Sequence, residues 1–308
     1  MSGTPRFSVI VPTFRRPDAL ARCLDALSRQ TYPRERFEVV VADDGSGAPP
    51  AGIVERFSSA MSVSLVEASH GGPGAARNAA ASRARGEYLA MTDDDCVPQA
   101  DWLARLDAAA YASPGALVGG RVENGLADNP MAEASQLLIG YLYEYFASDA
   151  SSTIRFFTTN NLAVPTDRFR QLGGFDVVSI GETAEDRDLC DRWARSGGVL
   201  VYESSAIVRH HSPLSLIGFV RQNFRYGRGA VHFHAARVTR GGPPVRLEPL
   251  TFYVGMLRHP ARQHPGASAI VPTLLLATSQ ISYACGYLAQ RLGATSRPVT
   301  RQARIHAD

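Results

Sequence analysis

The chain has 308 residues, 45% hydrophobic and 20% charged, enough for a full core in one large or two modest globular domains, which excludes a disordered chain and a polytopic membrane protein. Its 27 glycines and 19 prolines are too few and too scattered for a collagen-like or low-complexity chain, and its four cysteines form no CxxC pair, which argues against a zinc cage or disulfide framework and for a reducing cytosol. The net charge of +3 hides an asymmetry: residues 1–204 carry 19 arginines against 27 acidic residues, whereas residues 205–308 carry 13 arginines against only Glu248 and Asp308.

The N-terminus enters an apolar strand at Phe7 with no basic and apolar leader before it, so a cytoplasmic catalytic part is expected. Residues 7–12 (FSVIVP) read as a buried strand, and residues 16–30 as a helix with Leu20, Cys23, Leu24 and Leu27 on one face. A second strand at 37–42 stops at Asp43-Asp44-Gly45-Ser46, a helix follows over 53–60, and a third strand covers 63–67. The glycine loop at 70–74 opens a helix over 75–85, and a strand over 87–92 runs into three aspartates. This βαβα order with near-continuous apolar strands predicts an α/β fold, a mainly parallel sheet covered by helices.

The second half is less regular. A strand is expected over 119–124, an amphipathic helix over 131–146, a strand over 156–164 and a short helix over 169–174. A helix over 184–196 begins with Glu185 and Asp186 and ends at two glycines, and the sheet resumes over 199–202 and 206–208.

Ligands of such sheets bind beyond the carboxyl ends of the strands, and the chemistry-bearing residues cluster there: Pro12 and Thr13, Asp43 and Asp44, the glycine loop, and Asp93, Asp94 and Asp95. Three successive carboxylates repel one another unless a hard cation or solvent relieves them. A DxD site for Mg²⁺ or Mn²⁺ shared with a diphosphate is one reading, and a solvated acidic turn is the other.

Six segments together resemble the family 2 glycosyltransferases: VIVPTFRRPDAL (9–20), VVVADDGS (39–46), GGPGAARNAA (71–80), GEYLAMTDDDCVPQADWL (86–103), NNLAVPTDRFRQLGGFD (160–176) and AEDRDLCDRW (184–193). The resemblance implies the GT-A fold over residues 1–235, with a nucleotide-sugar half (1–120) and an acceptor half (121–235), followed by a basic, partly apolar helical extension over 236–308. It also implies a nucleoside-diphosphate sugar as donor, Mn²⁺ or Mg²⁺, and inversion at the anomeric carbon. Asp44 would then bond the nucleotide base and Arg77 lie on the nucleotide side. Asp93 and Asp95, with His210, would form the metal site, Asp94 remaining open between donor and structural roles. Asp186 would be the acceptor's base with Glu185 as second choice, although acidic residues in a first helical turn also serve the helix dipole. Residues 222–226 (QNFRY) resemble a QxxRW motif with Tyr226 in place of Trp, which makes Arg225 and Arg228 candidates for phosphate contact.

The acceptor pocket is expected to draw on 131–146 and Asn160-Asn161, for a lipid-linked glycan or a secondary metabolite. Residues 267–289 read as an interfacial helix, with a packing or homodimer helix as the alternative; the basic surroundings favour the inner face of the plasma membrane. No nucleic-acid signature is present. The competing functions are a sugar-nucleotide nucleotidyltransferase, which would open with a glycine-rich loop that VPTFRRPD lacks, and a non-catalytic donor-binding module, which would have lost a carboxylate from one of these positions.

Overall fold

In the computed structural model, which describes residues 3–148, 156–180, 183–245, 247–264 and 266–295, one eight-stranded sheet organises the chain. Its strands are β1 (Phe7–Thr13), β2 (Phe37–Asp43), β3 (Val63–Glu67), β4 (Tyr88–Met91), β5 (Cys96–Pro98), β6 (Leu117–Asn124), β7 (Leu162–Pro165) and β8 (Leu200–His210), in the order β3-β2-β1-β4-β7-β6-β8-β5. β1 to β4 are mutually parallel, β6 runs parallel to β8, and β7 and β5 pair antiparallel to their neighbours. The helices are α1 (Pro17–Ser28), α2 (Ala51–Glu55), α3 (Pro73–Arg83), α4 (Trp102–Ala112), α5 (Pro130–Ser148), α6 (Thr166–Gln171), α7 (Glu185–Arg195), α8 (Leu216–Thr239), α9 (Leu250–Arg258), α10 (Pro260–Gln263) and α11 (Ile270–Thr295).

Strand periodicity divides the core into two layers. Val9, Val11, Val39 and Val41 pack on Leu20 and Leu24 of α1 and on Trp102 and Leu106 of α4. The alternate residues Ile10, Val40 and Ala42 face Ala76 and Ala80 of α3, Phe169 of α6, and Leu189 and Trp193 of α7. Helices therefore cover both faces, which is why β1 and β2 are apolar along nearly their whole length and wholly buried. Each fully buried leucine in these layers stabilises the fold by roughly 1.5–3 kcal/mol.

Two strands differ from expectation. The 156–164 segment is strand only from Leu162; its polar part, Thr159–Asn161, is a 3₁₀ turn. Thr158 and its neighbours bond locally, with the Thr158 hydroxyl donating to Asn160 Oδ1 at 2.6 Å and the Asn161 N–H to the Thr158 carbonyl at 3.2 Å, which competes with a ladder. The separate strands at 199–202 and 206–208 are one continuous β8 whose register against β6 shifts between Gly120 and Arg121. Asn161 sits behind that shift, fully buried. Its amide donates to the Arg121 and Ala206 carbonyls, both at 2.8 Å, and its Oδ1 accepts from the Trp102 indole at 2.9 Å, so it braces the sheet and does not line an acceptor pocket.

The C-terminal helices dock on α5 through Tyr141 against Phe252, Met256 and Leu276, and through Ala134 against Phe219 and Leu275. α8 and α11 touch backbone to backbone: a Cβ on Gly227 would lie 1.9 Å from the Tyr283 carbonyl oxygen, and one on Gly286 2.0 Å from that of Phe224. Residue 236, the expected start of the extension, lies inside α8, and residues 296–308 lie outside the described residues.

Candidate active site

The parallel register aligns the strand ends. Thr13 is level with Asp43, the Asp44 N–H donates to the Thr13 carbonyl at 2.9 Å, and the Thr92 N–H donates to Ile10 at 3.2 Å, so the residues after β1, β2 and β4 emerge at one sheet edge. Pro12 and Thr13 close β1 there, both buried. Asp43 holds its own turn, accepting from the Ser46 N–H at 3.0 Å and hydroxyl at 2.6 Å. Asp44 reaches into the glycine loop, where it accepts from the Gly71 and Gly72 N–H groups at 2.9 and 3.1 Å and lies 2.9 Å from His70 Nδ1. Gly72, at φ +83°, takes the left-handed turn that starts α3 and aims its N–H at Asp44. The His70 ring stacks on Phe14 at 4.6 Å between centroids, forming an aromatic shelf beside this carboxylate.

The aspartate triplet is divided among three partners. Asp93 Oδ1 accepts from Arg77 Nη2 at 2.5 Å. Asp94 is buried and accepts from the Thr13 hydroxyl at 2.7 Å and from Arg16 at 3.3 Å; burial pushes its carboxyl up to about 6 against the pull of Thr13 and Arg16. Asp95 meets Arg16 at 2.9 Å and His210 Nε2 at 3.2 Å. Burial opposes its ionisation, but the hydrogen bond and charge of His210 and the charge of Arg16 prevail and hold it below the ordinary carboxylate range. The meeting with His210 is a matter of register, since β5 pairs Cys96 with His210 and the His211 N–H donates to the Asp95 carbonyl at 2.8 Å.

Asp95, Cys96 and His210 bring one ligand atom each within 4.8 Å of one another. The Cys96 thiol is a poor partner for a hard cation, because complete burial pushes its pKa well up and keeps it protonated. Asp95 oxygen and His210 nitrogen suit Mn²⁺, with open positions for phosphate oxygens. The Gln136 amide lies 3.1 Å from His210 Nδ1 and orients the ring, the outer-shell support usual for a ligating histidine. Of the expected metal set, Asp95 and His210 are therefore together, whereas Asp93 is engaged by Arg77. A cavity of about 420 Å³ opens on this cluster, its lining including Arg16, Arg22, Asp95 and His211.

Arg77 joins the triplet to α7. Fully buried, it reaches Glu185 Oε1 at 3.5 Å with its other terminal nitrogen, and its Nε has no hydrogen-bond partner among the described residues. Glu185 is pushed up to about 7, by burial first and then by the charge of Asp186, against the attraction of Arg77. Burial also raises Asp186, opposed by the charge and backbone N–H of Arg187 and by the charge of Arg77. Two carboxyl groups that resist ionisation at the head of one helix are chemically a proton-accepting pair.

Arg225 and Arg228 lie elsewhere. They project from α8 into a second cavity of about 330 Å³, lined also by Val178, Ile180, Thr183 and His232 and by none of the carboxylates above. Sequence reading did not single out Arg16, His70 or Gln136. Arg16 stood inside the FRRPD segment, and a lone histidine at the head of the glycine loop was the one signal for His70.

An α/β sheet with an acidic cluster at its strand ends, tied to a second acidic pair at the head of α7, is the arrangement of a polar ligand site beyond the carboxyl ends of the strands. The family model described as glycosyl transferase family 2 matches residues 8–171, and the chain belongs to that family. It is a glycosyltransferase of the GT-A fold. The chain is 29% identical to the glycosyltransferase AglE of Haloferax volcanii over 239 residues, 75% of this chain and 74% of AglE. It is 28% identical to the succinoglycan biosynthesis protein ExoM of Rhizobium meliloti over 232 residues, 73% of this chain and 74% of ExoM. In fold it is similar to the mannosyltransferase PcManGT from Pyrobaculum calidifontis in complex with GDP-Man and Mn²⁺, with a TM-score of 0.59, 21% identity and coverage of 95% of this chain and 80% of that one.

Proposed function

We propose that the chain is a metal-dependent, inverting glycosyltransferase that moves a sugar from a nucleoside-diphosphate sugar to an acceptor hydroxyl. The observation that carries this reading is the Arg77 bridge, with Asp93 on one terminal nitrogen and Glu185 on the other, which sets the strand-end carboxylates and the Glu185-Asp186 pair across a single guanidinium. The donor's base lies by Asp44 and the Phe14–His70 shelf, and its diphosphate by Arg16, Arg22 and Asp95. Mn²⁺ or Mg²⁺, held by Asp95 and His210 with Asp93 facing the sugar, would supply neutralisation of the departing diphosphate. PcManGT, described with GDP-Man and Mn²⁺, and the Staphylococcus aureus TarS fragment, described with UDP, support a nucleotide-sugar donor of this kind.

Asp186 takes the proton of the acceptor hydroxyl; its burial, which opposes ionisation, raises its basicity toward that of a working general base. Attack from that side, opposite the leaving diphosphate, inverts the anomeric carbon. The acceptor is a lipid-linked glycan or a secondary metabolite, met at the cytoplasmic face of a membrane that residues 236–308 touch peripherally. Gly266–Gly293 is a helical stretch long and apolar enough to cross a bilayer, but part of it is packed in the protein, which favours an interfacial position.

Release of nucleoside diphosphate from a panel of donors in Mn²⁺ tests the reading. Turnover should fall by roughly 10³-fold or more in both Asp95→Ala and Asp186→Asn, with Asp186→Asn leaving nucleotide affinity intact. Tight nucleotide binding with no turnover across all donors and acceptors would leave a binding module instead.

A further inference from the structure

Where β1 hands the chain to α1, the backbone is strained at one residue. Arg15 has φ +56° and is the only non-glycine residue with positive φ among the described residues. The left-handed region crowds any Cβ, so glycine or asparagine is the residue that suits such a turn when conformation alone matters. The turn is fixed on both sides. Thr13 ends β1 in register with Asp43, and Pro17 opens α1 and keeps Arg16 out of helical backbone, at φ −126° and ψ 59°. A long cationic side chain therefore stands where the backbone disfavours it, and the reason lies in what that side chain does.

Arg15 stands between the two ends of the proposed donor site. Its Nε donates to the Ser46 carbonyl at 3.3 Å, in the turn that Asp43 holds beside Asp44. Its guanidinium lies 4.9 Å from the centroid of Phe14, the ring that stacks on His70. Arg15 also lines the cavity of about 420 Å³ that it shares with Arg16, Arg22 and Asp95. Arg16 is committed there to the carboxylates of Asp94 and Asp95, at 3.3 and 2.9 Å. A carbonyl and a ring, by contrast, orient the Arg15 guanidinium and leave its charge in place.

We propose that Arg15 recognises the donor's phosphate nearest the nucleoside, and so joins the base end of the site to its diphosphate end. The Ser46 bond occupies Nε; the end of the fork, Nη1 and Nη2, is the pair of N–H donors that takes two phosphate oxygens in parallel. The proposal rests on the transferase reading, which puts the base by Asp44 and the diphosphate by Arg16, Arg22 and Asp95, and it adds a residue that the local backbone would not choose.

Urea unfolding and isothermal titration of the full chain separate a binding role from a folding one. In Arg15→Gly the urea midpoint should be no lower than in wild type, because relief of the left-handed strain offsets the freedom that glycine adds to the unfolded chain. Titration in Mn²⁺ uses UMP, UDP, GMP and GDP, with uridine and guanosine read by competition against them. In the same variant the Kd of the mono- and diphosphate of one base should rise by a common factor on the order of tenfold, while that of the nucleoside moves by less than about twofold. Arg15→Lys, which keeps the charge without the fork, should fall between, and Arg15→Asn, which also suits the turn, should match Arg15→Gly. A lower midpoint in Arg15→Gly, a loss confined to the diphosphates, an equal loss for the nucleosides, or unchanged affinity would each overturn the proposal while the transferase reading stands. Failure of every nucleotide to bind would remove both.

Discussion

Two walls of the molecule differ in how deeply their charges are buried. On the strand-end wall, Asp44, Asp93, Asp94 and Asp95 are satisfied by the glycine loop, Arg77, Thr13, Arg16 and His210. On the α8 wall, the exposed Arg225 and Arg228 line a cavity of about 330 Å³. The first wall is part of the folding energetics, because its charges are buried and interdependent; Arg225 and Arg228 of the second are exposed and contribute little to stability. Stability measurements should therefore separate the two walls before any substrate is known.

The largest separation is expected at Arg77. Arg77→Met leaves Asp93 and Glu185 facing each other with no cation, in a place where burial already disfavours ionised Glu185, and should cost roughly 3–5 kcal/mol in urea unfolding. Arg228→Gln on the other wall should stay within about 0.5 kcal/mol. Equal losses for the two variants would erase the distinction.

Glu185 gives a smaller effect with a definite sign. Between the ordinary glutamate value of 4.5 and its buried value of about 7, the native chain holds a proton that the unfolded chain has released. Stability contributed by this group is therefore full below pH 4.5, falls as pH rises to about 7, and is flat beyond. Glu185→Gln removes the titration, so it should match wild type near pH 5 and exceed it near pH 8, by on the order of 2 kcal/mol. A variant less stable than wild type at pH 8 would mean that the Arg77 contact outweighs burial and that Glu185 is ionised throughout.

The strand-end wall was largely legible in the sequence, because β1, β2 and β4 are buried on both faces and so read as unbroken apolar runs, and because parallel strands deliver their following residues to one edge. Thr13, Asp44 and the triplet followed from that rule alone. The partners were not legible. Arg16 reaches Asp95 across 79 residues and Gln136 reaches His210 across 74, distances that the crossing order of the sheet decides and local pattern does not. The β5–β8 register, which puts His210 on Asp95, depends on the same order. α8 escaped notice as a long helix because it carries glycines where α11 crosses it, at positions where an amphipathic pattern would show large apolar residues. The Thr158–Asn161 stretch misled for the opposite reason: its flanks are apolar and strand-like, but its side chains bond locally.

The smallest effect on folding concerns the outer face of α11, where Leu274, Ile281 and Leu288 recur every seven residues and are each more than half exposed. An exposed stripe of this kind contributes almost nothing to the isolated chain, so Ile281→Ser with Leu288→Ser should change unfolding free energy by less than about 0.5 kcal/mol. If the stripe enters the boundary of a bilayer, as proposed for residues 236–308, the same pair should weaken binding to phosphatidylglycerol vesicles strongly. Each buried methylene contributes about 0.8 kcal/mol, so removal of two aliphatic side chains should shift the partition coefficient by more than tenfold. High salt should weaken both proteins in proportion, because the arginines act through screened charge. Unchanged vesicle binding, with a wild-type dimer that the pair dissociates in analytical ultracentrifugation, would make the stripe a contact between two copies and leave the membrane to the arginines alone.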